Sequence, residues 1–148
     1  MKNLKSVIAL FIMLVSTVTF AADANSTPVL RGYDVVSYHT MGKPVMGTGT
    51  QVSEYKGQVY LFATEENKNT FNKNPEKYAP AYGGWCAFGV SAGKKFHGDP
   101  LVWEIVDGKL YVNLNKKIQK LWVKDIPKHI DEADELWKDI KNKPASSL

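Results

Sequence analysis

The chain has 148 residues and a formal charge of +4, enough for one domain of ordinary size and too few for two full ones. Apolar residues at 44%, charged residues at 23% and aromatics at 11% exclude a disordered chain and supply large side chains for a core. The single cysteine, Cys86, excludes an internal disulfide, a zinc ribbon, an iron–sulfur cluster and a paired-cysteine redox motif built by one chain.

Met1 to Lys5 carries two lysines, an uncharged apolar run follows from Ser6 to Val15, and the segment closes on Ala21-Ala22-Asp23-Ala24. These are the three parts of a secretory signal peptide, expected over residues 1–21, with cleavage after Ala21 or, alternatively, after Ala24. The apolar run is marginal for a spanning helix, which needs roughly 20 residues. No later run reaches membrane length, so the mature form is expected to have no stable membrane span and to be periplasmic or secreted. Removing Lys2 and Lys5 from the 19 basic residues leaves 17 against 15 acidic ones, a mature charge of about +2. The basic residues are spread among acids, which excludes a concentrated nucleic-acid patch.

Residues 22–30 are small and polar and read as a flexible lead-in. Val35-Val36-Ser37-Tyr38 reads as a first strand, and the Gly-, Pro- and Thr-rich stretch from Met41 to Thr50 as a loop. Val52 to Tyr55 and Gln58 to Phe62, separated by Lys56-Gly57, predict a hairpin. Thr64 is placed to cap a helix from Glu65 to about Lys73, with two glutamates favourably set in its first turn. Asn74-Pro75 ends it, and Pro75 opens one more turn. The stretch from Tyr82 to Gly93, with four glycines, three aromatics and the only thiol, predicts a buried, tightly packed turn and short helix.

Val102 to Val106, Asp107-Gly108 and Lys109 to Leu114 give the clearest hairpin signal in the chain. Asn115 is placed to cap a helix through Lys124. A last helix from Pro127 carries Ile130, Ala133, Trp137 and Ile140 at helical spacing. No internal repeat and no second domain are visible. The expected fold is α+β, a small antiparallel sheet of hairpins packed against three to four helices, with one domain over residues 31–142 and a tail over 143–148.

The stretch from Tyr55 through Phe62, Phe71 and Asn74-Pro75-Glu76-Lys77-Tyr78 resembles the core of the YHS domain, and Gly32 to Tyr38 resembles its opening strand. Tyr82 to Val90, Gly98-Asp99-Pro100 and Lys109 to Lys117 are similar to a subgroup of small exported YHS-domain proteins. The wider family is related to cysteine-rich, TRASH-like domains of copper-handling proteins. This kinship implies thiol ligands at the positions held here by Ser37, Ala63 and Asn67, and all three thiols are missing. The resemblance therefore implies the fold and argues against simple transfer of a metal function.

Two other ligand sets are open. Cys86 pairs with His97 across a stretch that contains Gly93, and His39, Met41 and Met46 fall in or beside one loop. Copper or another transition metal is the ion such donors would take. Tyr82, Trp85 and Phe88, around glycines, are candidates to line a pocket for a small ligand. A thiol-dependent enzyme would need Cys86, its thiolate stabilised at a helix start, with His97 or His129 as base and Asp99 or Asp131 to orient it. The leading expectation is a non-catalytic exported binding module, with a metal ion or small ligand as partner. A metal-free interaction or small-ligand module is the alternative.

Overall fold

A computed structural model describes residues 27–148. The expected signal peptide and residues 22–26 lie outside the described residues. Val29 and Leu30, expected to close a flexible lead-in, are buried at 6% exposure each. They belong to a turn at Val29–Gly32 in which Leu30 and Arg31 adopt left-handed backbone conformations, with φ of 49° and 55°. Asp34 then accepts a hydrogen bond from the Val36 N–H and caps helix α1, Val35–Met41. The expected strand over residues 35–38 is thus a helix. The paired valines suggested β structure, but the Asp34 cap decides the local geometry, and the side chains of Val35, Val36 and Tyr38 gain burial in the core.

Strands β1, Thr48–Tyr55, and β2, Gln58–Phe62, form the expected hairpin through Lys56-Gly57, both residues left-handed. Paired left-handed residues define the turn whose twist matches that of the strands. Helix α2, Glu65–Lys73, is capped by Thr64, whose hydroxyl accepts from the Asn67 N–H at 3.1 Å. Asn74 ends α2 and caps α3, Pro75–Tyr78.

The second half repeats this arrangement. A second left-handed turn spans Ala81–Gly84, with Tyr82 and Gly83 at φ of 53° and 63°. Both turns follow a proline, Pro28 and Pro80. Cys86 then caps α4, Ala87–Ser91, as Asp34 caps α1. Strands β3, Asp99–Val106, and β4, Lys109–Asn113, meet through the left-handed pair Asp107-Gly108. Both hairpins break register at the same place, between Thr48 and Val52 and between Asp99 and Trp103. Asn115 caps α5, Lys116–Trp122, as Thr64 caps α2. Even single backbone bonds recur: Asp34 N to Val45 O matches Cys86 N to Phe96 O, and Gly47 N to Gly32 O matches Gly98 N to Gly84 O. The chain therefore contains an internal repeat, offset by 51 or 52 residues, that its sequence hides.

The first buried cluster gathers Val35, Val36, Tyr38, Phe62 and Phe71 with Leu110 and Val112 of β4. The second gathers Ala87, Val90, Tyr111 and Trp122 with Ala133 and Ile140 of α6, Ile126–Ile140. Helix α6 starts one residue before Pro127, capped by Asp125 as Asn74 caps α3, and extends well beyond that shorter counterpart. The units are tied by the Tyr38 hydroxyl, which donates to the Pro100 carbonyl at 2.9 Å, and by the edge-on contact of Tyr38 with Trp103. The tail is not bare. The Lys95 ammonium donates to the carbonyls of Lys141 and Lys143, and Leu148 packs against the second cluster.

The fold is α+β, as expected. The antiparallel pairing is divided between two two-stranded sheets, and the described residues hold six α-helices, more than the three to four foreseen. No helix among the described residues is long and apolar enough to cross a membrane.

Candidate functional site

The positions at which the resemblance implies thiols, Ser37, Ala63 and Asn67, gather around Asp34, which is fully buried. Its carboxylate accepts from the Val36 N–H at 2.9 Å, the Ala63 N–H at 2.9 Å and the Asn67 side-chain amide at 2.7 Å. The Ser37 hydroxyl donates to the Asp34 carbonyl at 2.7 Å. Cys86 stands at the equivalent place in the second unit. Its sulfur accepts from the Gly89 N–H at 3.4 Å and from the N–H of Leu114, the counterpart of Ala63, at 3.2 Å. It also lies 3.6 Å from the Asn113 amide oxygen, which accepts from the Phe88 N–H. Each unit thus closes its core around one hydrogen-bonded hub.

Cys86 does sit at a helix start, and the N–H groups around its sulfur favour the thiolate. Burial outweighs them and pushes the thiol pKa up. A fully buried thiol with a raised pKa is the opposite of an activated nucleophile.

The Cys86 sulfur and the His97 ring each have other partners. Trp85 and His97 pair across an antiparallel bridge, and their rings stack at 4.5 Å. The Cys86 sulfur faces the Gly89 and Leu114 N–H groups instead. His39 and Met41 lie two apart on α1, a spacing at which helical side chains do not face each other. His39 packs edge-on to Tyr78 at 5.3 Å, with its Nε2 buried and unpartnered among the described residues. Met41 and Met46 are exposed, and Met46 lies on extended backbone bridged to Tyr33. Among the described residues no three His, Cys, Asp or Glu side chains gather around a point that could hold a metal ion. The donor set does not fit the thiolate cage that the kinship implies: amide and N–H groups aim donors at Asp34 where a metal would need acceptors.

What the fold does gather is an aromatic cleft of about 670 Å³ between the hairpin β1–β2, the second left-handed turn and α6. Tyr60, Tyr82, Trp85 and Trp137 line it together with Tyr55. Tyr82 is fixed by its hydroxyl, which donates to the Asp134 carboxylate at 2.9 Å, and by an edge-on contact with Trp137 at 5.7 Å. The Lys95 ammonium lies 5.5 Å from the Trp85 ring centre and 5.4 Å from that of Trp137, bracing both. Lys56, Lys109 and Lys141 also line the cleft, against the single carboxylate of Glu76. Glu76 is engaged by Lys56 at 3.4 Å and by the Tyr55 hydroxyl at 2.9 Å. Lys109 donates to the Glu76 backbone carbonyl, and burial lowers its pKa, so its charge is incompletely compensated.

Of the residues proposed for a ligand pocket, Trp85 and Tyr82 lie in this cleft. Phe88 does not line it and packs edge-on to His129. Tyr60, Lys109, Trp137 and Lys141 escaped the sequence reading. Trp137 carried the available signal, a large amphipathic ring on the apolar stripe of the last helix.

Residues 36–82 match the family model described as the YHS domain. No curated protein and no solved structure matches the chain.

Proposed function

The chain is a YHS domain-containing protein, and from that premise we propose that it is an exported, non-catalytic binding module for a small organic anion carrying a flat ring. The observation that carries this reading is the convergence of Tyr82, Trp85 and Trp137 with Lys109 and Lys141 on one cleft of ligand size. The ring would pack against Trp85 and Trp137 where they line the cleft, both braced by the Lys95 ammonium. The anionic group would meet Lys109 and Lys141, since Lys56 is already paired with Glu76. An anion there compensates the half-buried Lys109 ammonium, which the fold alone leaves under-compensated. The N-terminal signal pattern supports export.

Calorimetric titration of the mature protein with indole-3-acetate tests this. Saturable binding is expected, about tenfold or more tighter than neutral indole, because a hydrogen bond to a charged group contributes roughly 1.5–3 kcal/mol. Trp137→Ala and Lys109→Ala should each weaken it to a similar degree. Kinship with thiol-rich relatives makes copper the competing ligand, so copper(I) is titrated in parallel. Copper binding that depends on Cys86, with no response to indole-3-acetate, would replace this reading.

A further inference from the structure

We propose a second anion-binding site in the cleft on the other flank of the Gly83-Trp85 segment, where Arg31 and His97 would hold a carboxylate or phosphate monoester attached to a flat ring. The cleft encloses about 520 Å³. The internal repeat supplies the first argument. Pro28 to Arg31 and Gln58 stand in this cleft at the positions that Pro80 to Gly83 and Lys109 hold in the aromatic cleft. The first unit's turn shapes this cavity, and the second unit's turn borders both.

Arg31 supplies the second argument. It is the single arginine of the chain. It sits at φ 55°, a left-handed position that its counterpart in the repeat fills with Gly83. Glycine adopts this backbone freely and an arginine does so at a cost, and non-glycine residues held in such conformations concentrate at ligand sites. Arg31 forms no ion pair among the described residues, and no acidic side chain lines the cleft. Its planar guanidinium matches a carboxylate or phosphate by two parallel hydrogen bonds.

The remaining lining fits such a ligand. The His97 ring lies stacked on Trp85, adding a second nitrogen donor and a flat wall. The Gln58 amide is fixed by donating to the Gly83 carbonyl at 3.3 Å. The site shares Gln58, Gly83 and Trp85 with the aromatic cleft and is otherwise built from different residues.

Amide and side-chain NMR of the mature protein, titrated with phenyl phosphate, benzoate and neutral phenol, tests it. Saturable shifts are expected for the Arg31 side-chain N–H, the Gln58 amide and the backbone signals of His97 and Gly98, with at least one anion binding tighter than phenol. The tighter of the two anions identifies the head group. Arg31→Gln should weaken binding about tenfold or more. Arg31→Gly, which installs the residue the repeat prefers, should abolish these shifts while raising the thermal midpoint. Trp137→Ala should leave them unchanged. Shifts confined to Trp137 and Tyr82, equal binding of phenol, or full affinity in Arg31→Gly would overturn the proposal.

Discussion

Cys86 illustrates how little a residue type says before its partners are known. Read from the sequence, a lone thiol between Trp85 and Ala87 was open to metal ligation, catalysis or burial. In the fold its sulfur is the acceptor that closes the second unit, in the place of the Asp34 carboxylate in the first. Cys86→Ala would leave the Gly89 and Leu114 N–H groups without their acceptor beside a small void, for a loss of about 1–3 kcal/mol. Urea unfolding measures this, and a change below about 0.5 kcal/mol, ordinary for a surface site, would deny the hub its role.

His39 offers a second test at this scale. Burial first, then the nearby Lys77 and Lys109 charges, lower its pKa from the usual imidazole value. The unfolded chain therefore binds the proton first as pH falls. Stability should be full above about pH 6.5 and decline as pH falls through that value, until the folded-state imidazole also protonates. His39→Gln should flatten this part of the curve when unfolding is compared at about pH 7.5 and about pH 5.5.

Elements whose geometry is set by adjacent residues were readable in advance. Both hairpins follow from Lys56-Gly57 and Asp107-Gly108, and α2 and α5 start at the caps Thr64 and Asn115. Helix α1 was not readable, because Val35 and Val36 favour strands locally and only burial in the core rewards their helical placement. Gly98 carries a constraint that is also invisible locally. A Cβ there would lie 2.3 Å from Val112 Cγ2 and 2.8 Å from the Gly84 carbonyl, against both hairpin and turn. Gly47 is confined in the same way by Leu61 and the Gly32 carbonyl. Gly98→Ala should cost about 2–3 kcal/mol, visible as a lowered thermal midpoint, and a neutral result would mean that β4 and the turn are not packed as described.

Across the whole molecule, the repeat explains why the sequence concealed both the architecture and the site. Corresponding positions share the residues that shape backbone, such as Pro28 with Pro80, Gly47 with Gly98 and Gly57 with Gly108, while the side chains have diverged. Asp34 corresponds to Cys86, Phe62 to Asn113 and Arg31 to Gly83, so a comparison of side-chain chemistry finds no periodicity. The aromatic cleft is a product of the same assembly. Its walls come from β1–β2, the second turn, β4 and α6, which lie far apart in the chain. Only Tyr82 and Trp85, close to each other in sequence, were legible as a pair. Lys109 looked like an ordinary hairpin residue and Trp137 like helix packing.

If the hydrogen-bonded hubs at Asp34 and Cys86 hold no metal, the proposed ligand is the organic anion of the aromatic cleft. The direct measurement is a crystal structure of the mature protein grown with both indole-3-acetate and copper, with anomalous data at the copper edge. Ring density in the cleft against Trp137 and Trp85, its carboxylate on Lys109, with no anomalous peak at Cys86 or Asp34, is the predicted result. An ordered copper ion at either hub, or a cleft left vacant at saturating indole-3-acetate, would contradict it.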